Sequence, residues 1–244
     1  MATVTFTPLM LRGAGTRGVP LIPKSGCGGG DTGLATVSNA FSMEFDGTNY
    51  VNASSLSSTL QSLTVGSISM WWKPVDATPS SGNALFTVSS TTVTNDYFAM
   101  YNLSDGKFYA QLKDNNLNNW ILQTDAAAFS DNTFTHVAIT QNGTEPELYV
   151  NGSKPAQTFT TSINKTKWWD DITIEQVNIG ALIWSGGTSG NANGNIDEVA
   201  VFTSSLDAST VESIYSASLP LGSGVTGDLS KLDTPPVAWY RMGD

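Results

Sequence analysis

From Phe41 to Leu182 the chain falls into short apolar or alternating segments, each closed by turn residues, and this punctuation limits the fold more than any other feature. "FSMEFDG" alternates Phe41, Met43 and Phe45 against Ser42 and Glu44, then turns at Asp46-Gly47. "SISMWWKP" follows, halted by Pro74. Next come "NALFTVSS", "DYFAMYNLSDGKFYAQLKD" with a hairpin signal at Asp105-Gly106, "WILQT", "THVAITQNGTEPELYVNGS" and "VNIGAL". Strand side chains alternate between two faces, so segments of this length and period predict antiparallel strands. Only "SSLDASTVESIYSAS" has a helical period, with Leu206, Val211, Ile214 and Tyr215 on one face and Asp207 and Ser209 as candidate caps. The expectation is all-β: a two-sheet antiparallel sandwich with one short helix over an edge or an end.

The two ends read differently. Residues 1–38 hold eight of the 23 glycines with Pro8, Pro20 and Pro23, and cannot bury enough apolar surface to fold alone. They predict an extended arm in which "VTFTPLML" adds as a strand to a partner's sheet. Residues 1–30 carry Arg12, Arg17 and Lys24 and no acid, whereas residues 31–244 hold eight bases against 21 acids. Arg12 and Arg17 are therefore the candidate assembly residues of a basic arm docking on an acidic neighbour. So acidic a body repels phosphates, which argues against nucleic acid partners. Residues 39–218 form the expected body. Residues 219–244 read as a linker and a terminal strand, "VAWYRMGD", with Trp239 as its large apolar anchor and a third candidate assembly residue.

One cysteine, Cys27, excludes an intrachain disulfide, and one histidine with one cysteine cannot build a zinc site. The N-terminus has no basic region followed by a long apolar core, and no apolar run approaches the roughly 20 residues of a membrane helix. Neither an export signal nor membrane insertion is expected.

Three stretches resemble the laminin G-like (LamG) domains of the concanavalin A-like jelly-roll superfamily. "MEFDGTNYVNA" with "TVGSISMWWKP" is similar to the family's opening strands, and "FTHVAITQNGTEPELYVNGS" to its central hairpin. "GNIDEVAVFTSSLDASTVESIYSAS" is similar to its closing strand, link and helix. The resemblance covers residues 41–218 and implies a two-sheet jelly roll. In such domains a segment like "VAWYRMGD" ordinarily precedes the "FDG" strand, so here it is expected to pair beside the first or last strand, burying Trp239 in its own domain or in a neighbouring copy. The competing account is that it opens a second domain.

Some relatives in the superfamily hydrolyse glycosides, which requires two carboxylates about 5 Å apart on one face. The glucanase pattern Glu-X-Asp-X-X-Glu is absent, and Asp197 and Glu198 are sequence neighbours that point to opposite faces. Glu145 and Glu147 have the right interval but flank Pro146 in a hairpin turn. His136 alternates with Val137 and Ile139, and no Gly-X-Ser-X-Gly elbow accompanies it. A non-enzymatic protein is expected.

The resemblance also implies a structural Ca²⁺ between the first and closing strands, held by Asp46, the Gly47 carbonyl and Asp197; the alternative is that Asp46 only makes a turn and Asp197 pairs with a backbone amide. Sugar binding needs an aromatic platform with polar groups beside it. Trp168 and Trp169 with Asp170 in "NKTKWWDD", and Trp184 before a Gly/Asn run, are the candidates. LamG-like modules occur in marine bacteriophage structural proteins. The first functional expectation is a virion surface protein, a head decoration or a fibre or tail appendage, joined to other virion proteins or to its own copies through its arms and contacting host glycans. The alternative is a carbohydrate-binding or adhesion module of a bacterial surface protein, extracellular or at the cell surface.

Overall fold

A computed structural model describes residues 3–5, 36–39, 41–218 and 224–242. The strands are β1 (Thr3–Thr5), β2 (Thr36–Asn39), β3 (Met43–Asp46), β4 (Tyr50–Asn52), β5 (Gly66–Pro74) and β6 (Asn83–Ser89). They continue as β7 (Tyr97–Asn102), β8 (Phe108–Asp114), β9 (Leu117–Thr124), β10 (Thr135–Gln141), β11 (Pro146–Val150) and β12 (Gln157–Ser162). The last are β13 (Gln176–Ile179), β14 (Leu182–Trp184), β15 (Gly187–Ser189), β16 (Asn193–Phe202), β17 (Gly224–Gly227) and β18 (Ala238–Tyr240). Helix α1 (Ser57–Leu60) is a single turn, and α2 (Ala208–Ala217) is the helix expected from the sequence.

The strands build the expected sandwich. An eight-stranded sheet runs β1-β4-β13-β6-β7-β8-β9-β12, and a six-stranded sheet runs β11-β10-β5-β16-β18 with β3 also on β16. Among the described strands only the β1–β4 pair is parallel. The alternation read from the sequence sets the facing of each strand: Phe98 and Met100 of β7, Phe108, Ala110 and Leu112 of β8, and Trp120 and Leu122 of β9 fill the core between the sheets. The six-stranded sheet contributes Ile68, Met70 and Trp72 of β5, Val137 and Ile139 of β10, and Ile196, Val199 and Val201 of β16. Phe41, the first of the three alternating aromatic and methionine positions, is the exception: it is 59% exposed and lies before β3 begins.

The outer face of the six-stranded sheet is covered by its own chain. Asp207 caps α2 by accepting from the Thr210 amide at 2.7 Å. Val211 and Ile214 of the helix, with Leu206 and Leu229, pack on Ala138, Tyr149, Ala200 and Phe202. Tyr215 lies on Trp71 and His136, with ring centroids 5.6 Å from each.

The terminal strand pairs within the chain. β18 is antiparallel to β16, Tyr240 opposite Val199 and Ala238 opposite Val201, while β3 pairs with the same β16 from Ile196 to Asn193. Since β5 occupies the other side of β16, β18 and β3 lie end to end along one edge. Ala238, Tyr240 and Met242 enter the main core, and the Trp239 indole donates to Glu198 Oε2 at 2.7 Å. β1 pairs with β4 of the same sheet and β2 with β17, so these segments of the expected arm lie on their own chain. Arg12, Arg17 and Cys27 fall outside the described residues.

Candidate functional site

The outer face of the eight-stranded sheet is left largely open, and its middle is aromatic and polar. Opposite the inward Phe98 and Met100, β7 turns Tyr97, Ala99 and Tyr101 outward; opposite Phe108, Ala110 and Leu112, β8 turns out Tyr109, Gln111 and Lys113. The register sets Tyr97 against Lys113, Ala99 against Gln111 and Tyr101 against Tyr109. Ile121 and Gln123 of β9 extend the row beside Gln111 and Tyr109. Tyr101, Tyr109, Gln111, Lys113, Ile121 and Gln123 are all half-buried.

Among the described residues, the β14–β15 hairpin rises over this face. Its Leu182 packs on Ala84, Tyr97 and Ala99, and Thr87 Oγ1 donates to the Ala181 carbonyl at 2.8 Å. Trp184, half-buried, meets Tyr97 edge-on with centroids 5.7 Å apart. After the hairpin, Gly190 adopts a φ of +63°, and a Cβ there would stand 3.2 Å from the Tyr101 ring and 3.1 Å from the Ala84 Cβ. A glycine is thus what lets the chain pass close over Tyr101.

Gln111 orders the centre. Tyr109 Oη donates to Gln111 Oε1 at 2.8 Å, and Gln111 Nε2 donates to Tyr97 Oη at 3.2 Å. The Tyr101 and Tyr109 rings stand 6.0 Å apart at 60°. Burial pushes all three phenols above the usual tyrosine range, so they remain protonated and can each donate as well as accept. No carboxylate stands among these outward residues of β7, β8 and β9. Rings with polar tips and a fixed amide can meet the C–H face and the hydroxyls of a sugar.

Trp184 alone of the sequence-predicted sugar residues reaches this face. Trp168 and Trp169 are fully buried, which corrects the expectation of a loop platform: their rings stack at 4.6 Å, and Trp168 meets Phe98 at 5.0 Å within the core. The short 3₁₀ turn at Trp169–Asp171 drives both indoles inward and leaves the charges of "KWWDD" outside, with Lys167 on Asp171 at 2.6 Å. Asp170 is exposed there, its amide donating to the Leu63 carbonyl at 3.2 Å, and has no ring to work beside.

The proposed calcium ligands are likewise separated. Asp46 pairs with Asn193, so Asp197 lies four residues farther along β16, about 13 Å at strand spacing. Asp46 is exposed and closes its own turn, accepting from Thr48 N at 2.9 Å and Thr48 Oγ1 at 2.7 Å, bonds that hold its carboxyl below the usual range. The Gly47 carbonyl accepts from Asn191 Nδ2. Asp197 is buried, accepting from Asn39 Nδ2 at 3.3 Å and from the Glu198 amide at 2.9 Å. Asp46 and Asp197 cannot share one ion, and among the described residues no group of three or more His, Cys, Asp or Glu side chains is arranged to hold a metal. Glu147 pairs with Lys154 at 2.7 Å and Glu145 with Lys165. His136 is buried under α2, its Nε2 2.8 Å from Ser69 Oγ.

The tyrosine face escaped the sequence reading, although a signal was present: β7 and β8 place Phe on one side and Tyr on the other, and a phenol facing out needs water or a ligand where a phenyl facing in does not.

Comparison with known proteins agrees with this architecture. The Laminin_G_3 profile, described as concanavalin A-like lectin/glucanases superfamily, matches residues 45–212. No curated protein matches the chain. Among solved structures, the Ruminococcus gnavus IT-sialidase CBM40 bound to α2,3 sialyllactose superposes with a TM-score of 0.61 at 19% identity, over 74% of this chain and 97% of that one. The leech intramolecular trans-sialidase gives 0.59 at 19% identity, over 73% of this chain and 27% of that one. The NanB sialidase of Streptococcus pneumoniae gives 0.57 at 20% identity, over 76% and 28%. At these identities the likeness is one of fold. Among the described residues no helix is long and apolar enough to cross a membrane.

Proposed function

The chain belongs to the concanavalin A-like lectin/glucanases superfamily, and from that premise we propose that it is a non-enzymatic carbohydrate-binding module whose ligand lies on the outer face of the eight-stranded sheet. The observation that carries this reading is the Gln111-centred cluster of Tyr97, Tyr101 and Tyr109, half-open on the one sheet face that the chain's own helix does not cover. Neutral phenols and a carboxamide fixed by its neighbours are suited to sugar hydroxyls, and the rings, with Trp184 beside them, to the apolar side of a pyranose. The sialyllactose complex of the R. gnavus module, a protein of the same fold, supports the class of ligand.

A binding role rather than hydrolysis follows from where the acids sit. Glu145 and Glu147 are engaged with lysines on an exposed hairpin, Asp197 and Glu198 are buried, and the tyrosine face has no carboxylate to protonate a leaving group. A glycan ligand suits an extracellular or surface setting. Of the terminal segments, Thr3–Thr5 pairs with β4 and Ala238–Tyr240 with β16 inside this chain. Screening on a glycan array followed by calorimetry tests the reading. The wild type should bind a defined subset of glycans, Gln111→Ala and Tyr109→Ala should each weaken binding at least tenfold with the fold intact, and incubation should release no shorter sugar. Absence of binding to any glycan, or full binding by both variants, would refute it.

A further inference from the structure

We infer that the ligand is an acidic glycan, and that Lys113 is the residue that reads its anionic group, a carboxylate or a sulfate ester. The inference rests on the tyrosine face being the glycan site and concerns which glycans that face selects.

Lys113 projects from β8 on the same face as Gln111 and directly across from Tyr97, the ring that Trp184 meets, so it stands at that end of the hydroxyl-reading centre. Four of the other described lysines are tied to acids. Lys107, Lys154, Lys165 and Lys167 each pair with a carboxylate, and Lys73 lies over the Phe134 ring. Lys113 has no carboxylate partner among the described residues. Its sequence neighbour Asp114 instead meets Lys167 at 3.5 Å.

The surroundings favour an anion there. The outward residues of β7, β8 and β9 carry no carboxylate, whereas the chain as a whole has a net charge of −10. A flexible ammonium is a point charge that serves carboxylate and sulfate alike, whereas the planar fork of an arginine would favour bidentate carboxylate geometry. The neutral centre would hold the sugar ring and its hydroxyls, and Lys113 the charged substituent.

The test compares wild type, Lys113→Gln and Lys231→Gln on matched glycans: 3′-sialyllactose, 3′-sulfated lactose and plain lactose, together with uronic acid oligosaccharides and their neutral counterparts. Lys231 is exposed on the 3₁₀ turn at Leu229–Lys231, on the side of the six-stranded sheet, and controls for net charge. The wild type should prefer the anionic member of a pair, and Lys113→Gln should reduce that preference about tenfold, the size expected from one charge-assisted bond. Lys231→Gln should keep it. The sialylated and sulfated arms tell which anion is read. Equal binding of anionic and neutral partners by the wild type, or an anionic preference that survives Lys113→Gln, overturns this inference alone. No binding to any glycan overturns it together with the reading on which it rests.

Discussion

Acidification should destabilise this fold through its only histidine. His136 is wholly buried between Trp71, with ring centroids 5.3 Å apart, and Tyr215, and beneath α2. Nε2 meets Ser69 Oγ, Nδ1 has no hydrogen-bond partner, and desolvation holds the imidazole neutral with its pKa pushed down to about 3. In the unfolded chain the same group titrates near 6.5, so between these values the unfolded state binds the extra proton. Stability is therefore full above about pH 6.5 and is lost as the pH falls. At pH 5 the loss is about 2 kcal/mol, the product of 1.5 pH units and the ~1.4 kcal/mol that each represents. For a chain of this size that corresponds to a fall in melting temperature of roughly 4–8 °C. Glu175 is held at about 2, and Asp46, Glu147 and Asp207 are also lowered, so the stability these four contribute is lost only as the pH falls through and below the ordinary carboxylate range. Asp96, raised by burial, works in the opposite direction. Urea unfolding at pH 7.5 and pH 5 measures the loss, and the single imidazole resonance followed by NMR identifies its source. Equal stability at the two pH values, or an imidazole titrating near 6.5 in the folded protein, would refute the argument.

Two further expectations concern residues that the sequence singled out. Tyr240→Ala should cost about 3–5 kcal/mol, the range for emptying a large aromatic site in a core, as read by denaturant titration; a loss under 1 kcal/mol would mean that β18 is not part of the sandwich. Asp46→Ala, on an exposed turn, should cost at most about 1 kcal/mol, whereas Asp197→Ala removes a buried acceptor and should cost about 3 kcal/mol. The two effects should add in the double variant, since the sites are well separated; strong coupling, or a chelator effect that both variants abolish, would restore the shared ion.

The sandwich was legible because period-two alternation reports facing directly, and Met43–Asp46, Gly66–Pro74 and Thr135–Gln141 lie where their patterns predict. The α2 cap was equally plain, since Asp207 precedes the first periodic residue. Trp168 and Trp169 are not legible in the pattern because polarity along the chain is not polarity in space: a three-residue turn between charges aims two indoles inward. The metal pairing failed on register, which pattern alone does not set: β3 meets β16 with Asp46 opposite Asn193, four residues short of Asp197. The tyrosine face needed β7, β8 and β9 placed side by side, because Tyr97, Gln111 and Ile121 become neighbours only across strands.

The single line of strand shared by β18 and β3 along β16 has a consequence for the order of events during synthesis. Met43 leaves the ribosome 153 residues before its partner Ile196, so β3 must wait unpaired while most of the eight-stranded sheet assembles from its hairpins. β16 then meets β5 and β3 and still exposes the half of its edge from Val199 to Val201 until residues 238–240 emerge. A nascent chain halted between these points would hold a nearly finished domain with one short, unprotected sheet edge, the species most prone to pair with another unfinished copy.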